Sequence, residues 1–255
     1  MDILQGLVSE FGTTTLLLVF AAAVITSAIH GAVGVAGGFL MTAVLAQLIG
    51  VRPSVPIMSI ALLISHGARA LMNVRDFDLK AFLAVMVPAT PLILLGSYAY
   101  SALPVALVAL ALGLLIVISI PIRHWAQSRK IKAGPGMLAA AGAAYGFTAG
   151  ASIGSVSILS PFVLGYGLVK EAFVATMAVI SLSTNGLRIV VFGNTDILDG
   201  HLAILGILVG IVMVPGNWIG RAILKRMAAM THSRLVDFFA LVGGLNFLYL
   251  AWKTW

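Results

Sequence analysis

The feature that most constrains the fold is the distribution of charge-free sequence. Seven stretches of 15 or more residues contain no Asp, Glu, Lys or Arg: 11–51, 53–68, 81–122, 133–169, 172–187, 200–220 and 238–252. A membrane-spanning helix needs about 20 predominantly apolar residues. With 61% hydrophobic and 9% charged residues, the chain has more apolar surface than a soluble domain of this size could bury. We therefore expect an all-α polytopic membrane protein, and we exclude a soluble enzyme and a nucleic-acid binder.

Glycine or proline near the middle divides each of the three longest stretches into two parts, so the sequence predicts ten hydrophobic helical segments. They are expected at 13–30, 32–50, 54–72, 81–102, 104–121, 136–151, 153–168, 171–192, 201–224 and 236–252. The first partner that the sequence implies is therefore a lipid bilayer.

An internal repeat relates the two halves of the chain. Ser65–Arg69 resembles Thr184–Arg188, and each of these motifs follows a glycine-rich stretch and precedes a short acidic loop. We predict a first transmembrane repeat at 1–121, a basic linker at 122–135 and a second repeat at 136–255. Because five segments is an odd number, tandem repeats of this kind have inverted topology. The alternative is that two halves rich in Leu, Ala and Gly are similar by composition alone.

Lysine and arginine predict the orientation, because cytoplasmic loops carry an excess of both. When the N-terminus is placed outside and the segments alternate, 11 of the 15 basic residues fall in inside loops. Four of them lie in the linker 122–135, which is therefore expected to be cytoplasmic.

The glycine-rich stretches Gly31–Gly38 and Gly146–Ser155 are predicted to be broken helices or the tips of re-entrant hairpins near the midplane. Unwound backbone is tolerated in a membrane only inside the protein or beside a cavity, and helix N-termini at such tips attract anions. The substrate-binding candidates at the tips are Gly37, Gly38, Ser152, Gly154 and Ser155. The alternative is that these glycines serve close helix packing.

Arg69 and Arg188 lie within predicted segments that contain no Asp or Glu. An arginine inside a membrane span is costly and usually faces a cavity or a partner. A bound oxyanion can be that partner, because guanidinium donates two parallel hydrogen bonds to such groups. The neighbouring His66 and Asn185 are further candidate contacts. The alternative is that both arginines extend to the membrane interface.

His30 and His66 are candidate proton-relay residues, because histidine titrates near neutral pH. The alternative is that they are buried and neutral. Backbone carbonyls at a broken helix could instead bind Na⁺, so either H⁺ or Na⁺ could be coupled to transport. The chain has no cysteine, and no metal-ligand spacing occurs within the segments, so we expect neither a metal nor a cofactor.

Several motifs together resemble one family. They are Gly146–Gly154 followed by Pro161, then Leu168–Thr176, then Gly210, Gly216 and Gly220 before Arg221, and Gly34–Gly38 in the first half. These motifs and their order along the chain resemble the TauE/SafE family of membrane permeases, known for sulfite export and organosulfonate transport. The resemblance implies a carrier of small sulfur oxyanions or organic sulfonates in the inner (cytoplasmic) membrane.

The function expected from these features is secondary transport of a small anion, most simply sulfite or an organosulfonate. A carrier for a carboxylate or an amino acid is the alternative, and a homodimer is compatible with either. An intramembrane serine protease is disfavoured because Gly154 and Ser155 are not part of a Gly-x-Ser-Gly motif. A sensor subunit is disfavoured because the sequence has no soluble domain. An inside-negative potential would drive a monoanion outward by about 2.3 kcal/mol per 100 mV.

Overall fold

The computed structural model is a bundle of helices, and it describes residues 3–33, 36–72, 74–129, 132–153, 155–224, 226 and 229–255. The α-helices in this part of the chain are α1 Ile3–Phe11, α2 Thr13–Val33, α3 Ala36–Leu48, α4 Val51–Met72, α5 Leu79–Ala102, α6 Val105–Ser128, α7 Pro135–Ala151, α8 Val156–Gly165, α9 Lys170–Asn194, α10 Gly200–Leu224 and α11 Ala229–Thr254. A short 3₁₀ helix, Val74–Asp76, lies between α4 and α5. These ranges contain no β-strand.

Each of the ten predicted segments coincides with one helix from α2 to α11. The prediction of an all-α membrane protein is confirmed, because five helices in the described ranges are long and apolar enough to cross a bilayer. Large apolar side chains remain exposed around the bundle, among them those of Leu17, Val87, Val190, Ile211 and Trp218. Such a surface suits lipid rather than water. The nine-residue helix α1 was not predicted, because it is too short to register as a span.

Contacts between loops and helix ends define two ends of the bundle. One end, which we call the linker end, is held together by these contacts: Ala133 N donates to Gly165 O (3.0 Å), Asp78 N donates to Thr176 Oγ1 (3.1 Å), and His124 Nε2 lies 2.8 Å from Asp237 Oδ2. The start of α7, the end of α8 and the start of α9 therefore lie at the same end as the loop between α4 and α5.

The opposite end, which we call the terminal end, joins the start of α4 to the ends of α5 and α9. Tyr100 Oη donates to the carbonyl oxygen of Val51 (2.8 Å), and Arg52 Nη2 donates to the carbonyl oxygen of Ser101. The hydroxyl oxygens of Ser101 and Thr195 are 3.0 Å apart. These bonds close the terminal end with buried and half-buried polar groups.

Two helical hairpins enter the bundle from opposite ends. The α2–α3 hairpin begins and ends at the terminal end, whereas the α7–α8 hairpin begins and ends at the linker end. With 13 residues in α3 and 10 in α8, these helices are about 20 and 15 Å long, shorter than the ~30 Å hydrocarbon core. The hairpins meet inside the bundle, where a Cβ at Gly38 would lie 3.3 Å from Ile153 Cγ2. Their depth in a bilayer stays a prediction.

Helices α2 to α6 of the first half correspond in order to helices α7 to α11 of the second half. When each helix is replaced by its counterpart, the same principal pairs of helices pack together. Helix α2 packs on α10 as α7 packs on α5, and α4 packs on α10 as α9 packs on α5. Helix α3 contacts α11 as α8 contacts α6, and the α4–α9 and α6–α11 pairs join the halves. This pattern is the one expected of two related five-helix units. Their inverted orientation and the proposed domain boundaries stay predictions.

The acidic loops of the repeat have matching roles at helix N-termini. Asp78 Oδ1 accepts a hydrogen bond from Ala81 N at the start of α5 (2.8 Å), and Asp199 Oδ1 accepts one from Leu202 N at the start of α10 (2.8 Å). An aspartate in this position satisfies a backbone donor that the helix leaves unpaired. The two loops therefore start α5 and α10, which begin at opposite ends of the bundle.

The predicted break at Gly146–Ser155 is wrong in its extent, because α7 continues to Ala151. Gly142, Gly146 and Gly150 are four residues apart and face the backbone of α5. A Cβ at Gly142 would lie 2.6 Å from the carbonyl oxygen of Val85, and one at Gly146 would lie 2.6 Å from that of Ala89. These glycines therefore serve close helix packing, the alternative that the sequence left open. Gly31 is likewise helical, within α2.

Candidate functional site

A cavity of about 200 Å³ lies where the two hairpins meet α4 and α9. Its polar lining residues are His30, His66, Tyr145, Ser152, Ser155, Ser160, Ser181, Thr184, Asn185 and Arg188. Apolar residues complete the wall, including Leu62, Ile153, Phe173 and Met177. Sites for drug-sized ligands occupy ~300–1,000 Å³, so this cavity suits a smaller solute.

One face of α9 supplies most of the polar wall. Ser181, Thr184, Asn185 and Arg188 follow the i, i+3, i+4, i+7 spacing that aligns side chains along one side of a helix. Asn185 Nδ2 donates to the carbonyl oxygen of Ser181 at 2.7 Å, so the amide is held within its own helix. The amide oxygen is thereby turned toward the next polar side chain, Arg188.

The Arg188 guanidinium is the dominant charged group of the cavity. It is 3% exposed, and its Nη1 donates to Asn185 Oδ1 at 3.2 Å. Its Nε and Nη2 have no hydrogen-bond partner among the described residues. Nε and Nη2 lie along one edge of the planar group, the edge that can pair with two oxygens of one anion. A buried charged donor without a partner is costly, so this edge is suited to a bound oxyanion.

The charge of the described lining favours a negatively charged solute. It includes Arg188 as a permanent cation and two histidines, but no Asp or Glu. A single positive charge in a low-dielectric wall attracts an anion much more strongly than it would in water. The part of the chain that the structure describes also contains no cluster of three or more metal-ligating side chains.

The hydroxyl groups of the cavity are largely committed to neighbouring atoms. Thr184 Oγ1 donates to the carbonyl oxygen of Ile180 (2.8 Å) and lies 2.9 Å from Tyr145 Oη, so Tyr145 donates to Thr184. Ser152 Oγ donates to the carbonyl oxygen of Thr148 (3.0 Å) and lies 3.2 Å from Ser155 Oγ. These hydroxyl groups are therefore engaged with one another or with backbone carbonyls, unlike the Nε–Nη2 edge of Arg188.

The cavity extends from Arg188 toward the linker end. Along α9 its lining runs from Phe173, in the first turn, to Arg188, a distance of about 22 Å. The side chain of Val174, near the linker end of this wall, is 43% exposed, whereas Arg188 is almost fully buried. The bonds of Ser101 and Thr195 lie beyond Arg188 and close the terminal end.

The structure brings together most of the residues that the sequence singled out. Those that line the cavity are His30, Gly38, His66, Ser152, Ser155, Asn185 and Arg188. Gly37 does not line it, because Gly37 faces α2, where a Cβ would meet His30 and Thr26. Gly154 and the side chain of Arg69 lie outside the described part of the chain. The backbone of Arg69 is helical, near the end of α4.

Several lining residues were not predicted from the sequence. Ser181 could have been found, because it extends the polar face of α9 by one turn from Asn185. Tyr145 and Ser160 reach the cavity only because α7 and α8 fold back beside α9, and no sequence spacing shows this. Phe173 and Met177 are indistinguishable in sequence from other apolar residues of a span.

Comparison with known proteins identifies one family. A family model described as "Sulfite exporter TauE/SafE" matches residues 19–247 of the 255. The match covers all cavity-lining residues and confirms the resemblance that the sequence motifs indicate. Neither the search of curated proteins nor the search of solved structures returned a match.

Proposed function

Because this chain belongs to the sulfite exporter TauE/SafE family, we propose that it is a secondary transporter of a small anion, sulfite or an organosulfonate. It acts at the cytoplasmic membrane by alternating access. The observation that supports this proposal best is the unpartnered Nε–Nη2 edge of the buried Arg188. The family is one of membrane transporters rather than enzymes.

The chemistry of the cavity suits a group with several anionic oxygens. Two oxygens of a sulfite or sulfonate can accept hydrogen bonds from Nε and Nη2 at once. Asn185 occupies the remaining nitrogen, Nη1, and so keeps this edge turned away from its own helix. From Arg188 the cavity continues toward the apolar residues Met177 and Phe173, so it leaves room on that side for an organic substituent.

Alternating access is supported by the two ends of the bundle. In this structure the cavity extends toward the linker end, while polar bonds join the helices at the terminal end. Because helix packing has the same pattern after exchange of the halves, the opposite arrangement can use equivalent contacts. An anion bound at Arg188 would then face each side of the membrane in turn.

Carboxylates are the second candidate substrate, since the same guanidinium edge pairs with a carboxylate. An amino acid fits less well, because the described lining offers no Asp or Glu for its ammonium group. The discriminating comparison is therefore between sulfonates and simple carboxylates.

Transport is tested with the purified protein in liposomes that are loaded with sulfite. We expect sulfite efflux that saturates with concentration and that methanesulfonate slows more strongly than acetate does. Equal inhibition by acetate would favour the carboxylate candidate. Efflux of sulfite no faster than from protein-free liposomes, together with no movement of methanesulfonate, would contradict the proposed function.

The orientation that we propose places the linker in the cytoplasm, where the basic residues predict it. The chain has no cysteine of its own, so single cysteines report position cleanly. In intact cells, we expect Ser128→Cys to resist a membrane-impermeant thiol reagent and Ser9→Cys to react with it. Both side chains are exposed, and they lie near opposite ends of the bundle. The reverse labelling pattern would show that the orientation is inverted.

A further inference from the structure

Two histidines line the cavity that contains the anion site. His30 comes from α2 and His66 from α4, and both line the cavity together with Arg188. Their ring centroids are 6.3 Å apart, and the rings are inclined at 68°. Close contact between α2 and α3 at Gly37, which leaves no room for a Cβ, holds the backbone of His30 in place.

The charged and titratable groups around this histidine pair are few. Arg188 faces the cavity from α9, and Tyr145 faces it from α7. Helix α3, which packs on both α2 and α4, has no titratable side chain. The ionisable residues of α6, α10 and α11 are near the helix ends: Arg123, His124, His201, Arg221, His232, Arg234, Asp237, Tyr249 and Lys253. On α4 itself, the remaining charged residues are Arg52 and Arg69.

An anion in this cavity and a proton on the pair must favour each other. The charge of an anion bound in the cavity stabilises an imidazolium in the wall of the same cavity, and the low dielectric strengthens the attraction. Linkage is reciprocal, so a proton on the pair strengthens anion binding by the same factor. Without an anion, a proton on the pair would add a second positive charge to a cavity lining that already contains Arg188, which disfavours it.

We propose that His30 and His66 form a proton-binding site that is coupled to the anion site, so that the carrier binds and moves its anion together with a proton. This inference rests on the proposed function. A monoanion and a proton together transfer no net charge, so the membrane potential would not drive their movement. A proton gradient would drive it instead, in contrast to the potential-driven export expected for an uncoupled monoanion.

The test measures the dissociation constant of methanesulfonate, which keeps one negative charge throughout the range used, in detergent-solubilised protein. The measurements run from about pH 5.5 to about pH 8.5, on either side of the pKa of a free histidine, which is ~6.5. Over this range we expect the Kd of the wild-type protein to rise roughly 5- to 150-fold as the pH increases. Calorimetry in two buffers of different ionisation enthalpy should show net proton uptake on binding at neutral pH.

In the variants His30→Gln and His66→Gln, the Kd of methanesulfonate should change less with pH than it does in the wild type. The change should be smallest in the double variant. The matched controls are His124→Gln and His201→Gln, whose imidazoles lie at the two ends of the bundle beside Asp237 and Glu10. In both control variants, the Kd should depend on pH as it does in the wild type. If the double variant does not fold, the single variant at the half-buried His66 and the wild-type calorimetry still decide the question.

The outcomes separate this inference from the function on which it rests. Tight methanesulfonate binding with a pH-independent Kd, or without proton uptake, would overturn the coupling and leave the proposed function intact. A wild-type pH dependence that persists in the double variant would also overturn it. Failure of the wild-type protein to bind methanesulfonate or sulfite at any pH would contradict the proposed function itself.

Discussion

Substitution of Arg188 by Gln is expected to weaken methanesulfonate binding by roughly 10- to 150-fold, about 1.5–3 kcal/mol for hydrogen bonds to a charged group. The change removes the permanent positive charge from the described cavity lining, together with the unpartnered donors Nε and Nη2. Gln keeps a side chain of moderate length and can still hydrogen-bond to Asn185. The loss would therefore be one of affinity more than of fold, and calorimetric titration of purified protein measures it directly.

Arg188→Lys distinguishes charge from geometry. Lysine retains the positive charge but lacks the planar pair of donors that matches two oxygens of one anion. We expect its affinity to lie between those of the wild type and of Arg188→Gln. The control is Arg129→Gln, because that side chain is exposed and does not line the cavity, and we expect this variant to keep the wild-type affinity. A folded Arg188→Lys protein with wild-type affinity would show that charge alone holds the anion.

The repeat predicts that Arg69 is the counterpart of Arg188 in the first half. Arg69 lies near the linker end of α4, whereas Arg188 lies toward the terminal end of α9. An anion-recognition role for Arg69 stays a prediction. The methanesulfonate affinities of Arg69→Lys and Arg188→Lys, measured together, would show whether lysine can replace arginine at either position.

The positions of the helices could be predicted from the sequence because side chains in contact with lipid are apolar. Each membrane helix is therefore visible as a long apolar segment. The ten segments predicted from the charge-free stretches match α2 to α11 within a few residues at most of their boundaries. The two largest differences are of seven residues each: α6 ends at Ser128 rather than at 121, and α11 begins at Ala229 rather than at 236. The first turns of α11 contain Arg234 and Asp237, and the latter contacts His124, so a polar helical extension is stabilised by a partner on α6.

The helix breaks could not be placed from the sequence, because glycine permits both unwinding and close packing. Only the approach of α5 shows that Gly146 and Gly150 pack within a continuous helix. In the first half, Gly37 and Gly38 are also helical, at the start of α3. The intervals between the described helices, from Val33 to Ala36 and from Ala151 to Val156, are shorter than the glycine-rich stretches that predicted the breaks.

The site was partly predictable for a similar reason. Arg188 and Asn185 stood out because polar residues inside an apolar segment are costly and need partners. His30, which lines the same cavity, comes from another helix in the other half, and its place near His66 depends on how α2 and α4 pack. Sequence spacing along one helix does not encode that arrangement, so the cavity became evident only from the fold.

Substitution of Gly146 by Ala is expected to destabilise the protein, although alanine is the better helix former by about 1 kcal/mol. A Cβ at this position would lie 2.6 Å from the carbonyl oxygen and 2.7 Å from the Cα of Ala89. These are backbone atoms of α5, so no side-chain rotation can make room and the two helices must separate. Overpacking of this kind costs about 1–3 kcal/mol, which is expected to exceed the gain in helix propensity. The midpoint of thermal unfolding in detergent measures the net effect.

Gly186→Ala is the matched control, because Gly186 is helical and a Cβ there would meet no other atom within 4 Å. Its stability should be unchanged or raised by up to about 1 kcal/mol. Since Gly146 adjoins Tyr145, which bonds to Thr184 in the cavity wall, separation of α7 from α5 should also displace that wall and weaken anion binding. Equal stability of the two alanine variants would contradict the close α5–α7 contact, and with it the placement of the cavity between the two hairpins.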